Sequence, residues 1–170
     1  MSDAIAPTTA WADRWNEPTY DELIKDLNEP ASIHMPKLIS NVEGEVEELD
    51  SRVIWHGTSW RWTIEFTAPS QISTAGGEER EVLFYFVPNP EEALVCVPLR
   101  PQVLEHLPIR RLNRYIRDGI RGAKWAVDIR WGKWIITANT EVEHMTDLLK
   151  RKGKIFIEES VSQKRSKKAG

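Results

Sequence analysis

The chain predicts an α+β domain, one antiparallel sheet of four to five strands with helices mainly on one face. Three observations predict it. Apolar residues near the start recur at spacings of three and four, residues 53–97 hold alternating or continuous apolar runs joined by short turns, and helical spacing returns after Pro101. Short connections between strands imply an antiparallel meander, and helices segregated from strands in this way imply α+β layers.

Taken in order, Trp11 and Trp15 are four residues apart, so they can share one face of a short docking helix. Thr19 followed by Glu22 reads as a capping box opening a helix whose apolar side is Leu23, Ile24 and Leu27. Pro30 and Pro36 interrupt that pattern. A second helix is expected over residues 36–49, with Ile39, Val42, Val46 and Leu49 inward and Glu43, Glu45, Glu47 and Glu48 outward.

Strands follow. Residues 53–55 form a first run, with 56–59 as a turn. Trp60, Trp62, Ile64 and Phe66 alternate with polar neighbours, which predicts a half-buried strand with both tryptophans on its core face. Residues 68–80 read as a polar loop with a flexible Gly76-Gly77 tip. The continuous run 82–87 predicts a central strand, and 94–97 the next one, ended by Pro98. A helix over 109–121 presents Ile109, Leu112, Ile116 and Ile120 inward and ends at Gly122. Residues 125–129 and 133–137 predict two short strands separated by Gly132. Asn139 or Thr140 is expected to cap a final helix carrying Val142, Met145, Leu148 and Leu149, with Lys150, Arg151 and Lys152 in its last turn.

These elements make one domain over residues 18–158, preceded by a flexible segment, 1–17, and followed by a disordered basic tail, 159–170. Hydrophobic residues at 41% suffice for a core. A single cysteine, Cys96, forbids an intramolecular disulfide and, within an apolar run, reads as a buried inert thiol. No secretory signal is read at the start, and no apolar run reaches the roughly 18 residues of a membrane span, so a cytoplasmic protein without a membrane partner is expected. The net charge of −3 conceals a dipole, since residues 1–99 carry −12 and residues 100–170 carry +9.

The turn and strand at 56–62 (His-Gly-Thr-Ser-Trp-Arg-Trp), the hairpin of 82–87 with 94–97, and the closing strand and helix at 133–136 and 141–152 resemble the YdhG-like superfamily. The resemblance spans residues 19–157. It implies a small α+β domain, and some members of that group are described as iron chaperones or ligand carriers.

Motifs of catalysis are missing from the sequence. There is no G-x-S-x-G, no phosphate-binding glycine array, no G-x-G-x-x-G and no H-E-x-x-H. The expectation is a binding domain rather than an enzyme, with no cofactor identifiable. Two sets of residues carry it. Trp55, His56, Arg61, Trp131 and Trp134 are candidates for an aromatic pocket, since tryptophan buries a large area and keeps one polar handle. Arg110, Arg114, Arg117 and Arg121 recur at +4, +3 and +4, a stripe that with Lys124 can hold an anion. The partner expected is a small anionic ligand or an acidic protein. The stripe can equally pair with the acidic helices, within the chain or across a homodimer. A pI of about 5.9 disfavours nucleic acid. A second reading is an iron-handling chaperone with Glu43 and Glu47 on one helix face. A third is an enzyme built around His56.

Overall fold

The computed structural model describes residues 9–72 and 79–158. Residues 1–8 of the segment expected at 1–17, the Gly76-Gly77 tip and the tail 159–170 lie outside them. Helix α1, Tyr20–Lys25, opens with the expected capping box: the Thr19 hydroxyl accepts from the Glu22 amide and Glu22 accepts from the Thr19 amide. Thr19→Ala should cost about 1 kcal/mol in denaturant unfolding, the usual worth of such a cap.

Helix α2, Ala31–Glu45, starts earlier than predicted and runs through Pro36. The proline sits past the first turn, where its missing N–H costs a helix bond. Burial of Met35, Leu38, Ile39 and Val42 outweighs that loss. The helix then stops at Glu45, and Val46 is already extended.

Six strands, not four to five, form one antiparallel sheet in the order β1-β2-β3-β4-β6-β5. Strand β1 is Asp50–Trp55, and the expected turn after it is a helical turn, α3, Gly57–Trp60. Strands β2, Trp62–Pro69, and β3, Arg80–Val87, are longer than predicted and take over only the ends of the expected polar loop, residues 68–69 and 80. Strand β4, Leu94–Leu99, continues through Pro98. Its pairing with β3 ends at Tyr85 opposite Cys96, so beyond that point β4 is bonded only to β6. A strand free on one side accommodates proline.

The connection from β4 contains a short helix α4, Pro101–Leu104, and a 3-10 turn, Ile109–Arg111. The single helix expected over 109–121 is thus two pieces. Leu112 and Asn113 are extended, and Asn113 caps α5, Arg114–Arg121, by accepting from the Tyr115 amide. Strands β5, Lys124–Ala126, and β6, Ile129–Trp134, form an edge hairpin. Gly132 lies inside β6 rather than breaking it, because the Trp134 ring folds back over it. Helix α6, Asn139–Ile157, closes the chain. Neither predicted cap is used: Glu141 accepts from the Thr137 amide and hydroxyl, while Asn139 accepts from Lys37.

Opposed residues of antiparallel strands share a face. The row Val53, Ile64, Phe86, Val95 and Trp134 faces the helices, as do Phe66 and Phe84, whose rings stack 4.3 Å apart. Helix α6 packs on β2 and β3 and against both α2 and α5. Its lysine at 152, expected in the last turn, lies before the helix end at Ile157, is fully buried and donates to the carbonyls of Val82 (2.9 Å) and Leu83 (2.8 Å). Those carbonyls lie where the β2–β3 register shifts. No helix of the described residues is long and apolar enough to cross a membrane.

Candidate functional site

The other face of the sheet carries the row Arg52, Glu65, Tyr85, Cys96 and Lys133, and beside it Pro98, Trp131 and Lys124. Turn α3 adds Trp60 and His56. The left-handed backbone of Arg61 (φ 58°) makes this possible. It breaks the period-two alternation between Trp60 and Trp62, so the two tryptophans do not share a face as expected. Trp62 stays in the core, and its indole donates to the Asp13 carbonyl. Trp60 turns toward Tyr85.

The result is a ring cluster. His56 lies edge-on to Trp60 (5.5 Å between centroids) and to Tyr85 (5.3 Å). Trp60 meets Tyr85 at 5.5 Å and Trp131 at 6.3 Å, and Tyr85 stacks with Trp131 at 6.1 Å. These separations are those of favourable aromatic pairs. The cluster walls a cleft of about 860 Å³ whose far side is Gly119, Gly122 and the β5–β6 hairpin, with Lys124 and Lys133 exposed in its lining. Tyr85 and Trp131 also wall a second hollow of about 670 Å³, toward Arg52, Glu65, Glu81 and Arg100.

The electrostatics differ between the two ends. Arg52 pairs with Glu65 at 2.8 Å. Arg100 grips Glu81 with two donors and also reaches the Ile72 carbonyl, and Arg80 donates to the carbonyls of Glu48 and Thr67. Cations in the second hollow are therefore engaged by the protein itself. Lys124 and Lys133 in the first cleft have no hydrogen-bond or ion-pair partner among the described residues. Burial lowers the His56 pKa, opposed by Glu65 and assisted by Arg52, so its imidazole is neutral at pH 7. Burial, then the Glu65 charge, push the Tyr85 phenol up to about 12, leaving it a neutral hydroxyl. Cys96 is fully buried in the same row, and desolvation raises its thiol to about 12, which makes it the inert thiol expected.

Of the predicted pocket residues, the structure joins His56 and Trp131. Trp134 is core (4% exposed), with its indole donating to the Tyr115 carbonyl. Trp55 is half-buried and packs edge-on against Trp62, on the helix-bearing side. Arg61 sits over the Trp11 ring at 4.8 Å, away from the cleft. The sequence pattern places Trp60 on the core face rather than in the pocket, and does not single out Tyr85. A helical turn in place of a hairpin turn hid the first, and Tyr85 sits in a continuous apolar run that gave no facial pattern.

The arginine stripe is not one continuous helix face. Arg110 lies on the 3-10 turn, and the break at Asn113 removes it from the helix that carries Arg114, Arg117 and Arg121. Arg114 approaches Asp118 of its own helix at 3.5 Å, both highly exposed. Arg117 donates to the Arg110 carbonyl. The acidic α2 is met instead by Lys150 of α6, which pairs with Glu45 at 3.1 Å. Glu43 and Glu47 do not share a helix face, because α2 ends between them. No group of three or more metal-ligating side chains comes together among the described residues.

The N-terminal segment is anchored rather than helical. Trp11 is buried, donating from its indole to the Trp60 carbonyl at 2.8 Å, whereas Trp15 is 86% exposed. No protein-family model matches the chain, and no curated protein or solved structure matches it. The YdhG-like resemblance therefore rests on the residues quoted for it.

Proposed function

We propose that this is a binding domain whose open sheet face holds a flat, anionic small molecule. The observation that carries the reading is the cluster of Trp60, Tyr85, Trp131 and His56 standing beside Lys124 and Lys133 in one cleft. Ligand sites are typically concave and apolar with a few convergent polar groups, and this cleft has that composition. A planar ring system stacks on the indole of Trp131, and the two ammonium groups offset its charge. Neutral His56 and neutral Tyr85 supply hydrogen bonds without adding charge.

Naphthalene-2-sulfonate is a minimal probe, read by calorimetry and by quenching of tryptophan fluorescence. Wild-type protein should bind it more tightly than uncharged 2-naphthol. Trp131→Ala should weaken binding by about tenfold, within the roughly 1–3 kcal/mol that stacking on an aromatic side chain is worth. Lys124→Glu with Lys133→Glu should abolish the preference for the sulfonate and the salt dependence with it. Equal affinity of wild type and Trp131→Ala would end this reading.

A further inference from the structure

We infer that the tip of the β5–β6 hairpin docks the protein on an anionic bilayer surface. This is contact with a surface, not a span across it; it shares Lys124, Trp125 and Lys133 with the cleft, but its apolar tip, Val127, takes no part in the cleft lining.

The first observation is conformational. Ala126 pairs with Ile129, so Val127 and Asp128 form a two-residue hairpin turn. Val127 has φ 60°, in the left-handed region. Two-residue hairpin turns place glycine, asparagine or aspartate at such positions, and a β-branched residue there is strained. The same side chain is 100% exposed. Strain without burial returns nothing to the fold, so the apolar group is explained by something outside it.

The second observation is its surroundings. Trp125, one residue before Ala126, is 53% exposed, and the Arg130 guanidinium lies over its ring at 5.1 Å. Residues 109–135 carry eight arginines and lysines against two aspartates, a net charge of +6 in a chain whose total is −3. Arg121, Lys124 and Lys133 of this set are exposed. Exposed apolar side chains at a hairpin tip within a basic collar match a lipid surface on both counts. Tryptophan favours the headgroup boundary, and each cation near an anionic leaflet adds attraction. A polyanion such as single-stranded nucleic acid would use the collar and the Trp125 ring but gains nothing from an aliphatic tip.

Sedimentation with vesicles tests this on the full chain. The protein should pellet with phosphatidylcholine vesicles containing about 30% phosphatidylserine but not with phosphatidylcholine alone, and about 0.5 M salt should release it. Val127→Asp should reduce the bound fraction at least about tenfold. Val127→Gly removes the aliphatic group while relieving the backbone. It should keep or raise the unfolding midpoint and still lose about fivefold or more in vesicle binding. Both variants retain every cation. Vesicle binding unchanged in Val127→Gly would overturn the proposal, as would failure of the wild type to pellet with the anionic vesicles. Binding of a single-stranded oligonucleotide without vesicle binding would overturn it in favour of nucleic acid. A Trp131→Ala protein that loses the naphthalene probe but still pellets would separate this surface from the cleft.

Discussion

Gly132→Val should destabilise the fold by about 3 kcal/mol, with Gly119→Val costing a similar amount, measured by urea unfolding followed by circular dichroism. Both glycines face the same indole. A Cβ at Gly132 would stand 2.6 Å from Cζ3 of Trp134, and one at Gly119 would stand 2.6 Å from its Cζ2. Real contacts do not approach that closely, and the ring cannot retreat. It is buried, it sits in the row that ends at Val53, and its nitrogen is bonded to the Tyr115 carbonyl. One glycine comes from a helix and the other from a strand, so the ring is the spacer that sets how closely α5 approaches β6. Trp134→Ala empties the space and should cost about 3–5 kcal/mol. In the double variant with Gly132→Val, part of that loss should be recovered, because the added methyls occupy vacated volume.

Stability should rise between pH 6.5 and 8.5 by about 2 kcal/mol, and Lys152→Met should flatten the rise. Burial lowers the Lys152 pKa to about 7, with Glu81 opposing the shift and Arg100 adding to it. Below pH 7 the folded and unfolded chains both hold the proton, and the fold bears the full cost of burying an ammonium. Above it the folded state sheds the proton while the unfolded chain keeps it up to about 10.5, so the unfolded state binds more protons and stability climbs. Cys96 acts in the opposite sense. Its thiol is raised from 9.0 to about 12, so from pH 9 upward the unfolded chain ionises first and stability falls. The rising limb is therefore cleanest below pH 9. Lys152→Met should also carry a pH-independent cost of about 1–3 kcal/mol, since the Val82 and Leu83 carbonyls lose their donor.

The elements of this fold were legible wherever one local signal governed. The capping box at Thr19 and Glu22 is an example, and so are the strand runs 82–87 and 94–97. Each is a pattern within a few residues that tertiary packing reinforces. Reading failed where a single backbone angle or a distant partner intervened. Arg61 in a left-handed conformation sends Trp60 and Trp62 to opposite faces, and nothing in the alternation of residues 60–66 marks the change. Asn113 caps a new helix in the middle of an arginine spacing that looked continuous. Gly132 reads as a strand break until Trp134 is seen to need its missing side chain. Half of the aromatic cluster, His56 and Trp131, was foreseen from composition. Tyr85 and Trp60 required the sheet register and the helical turn.

The bond from the Trp11 indole to the Trp60 carbonyl has a practical bearing. Trp62 also donates its amide to the Trp11 carbonyl, at 3.4 Å. A wall of the cleft is thereby fastened from outside, by a stretch of chain that could be mistaken for dispensable leader. Trimming to residue 18 would leave every ring of the cluster in place on paper while withdrawing the clamp behind one of them. A shortened protein that folds yet binds the naphthalene probe poorly would be reporting on that clamp, not on the ligand face itself.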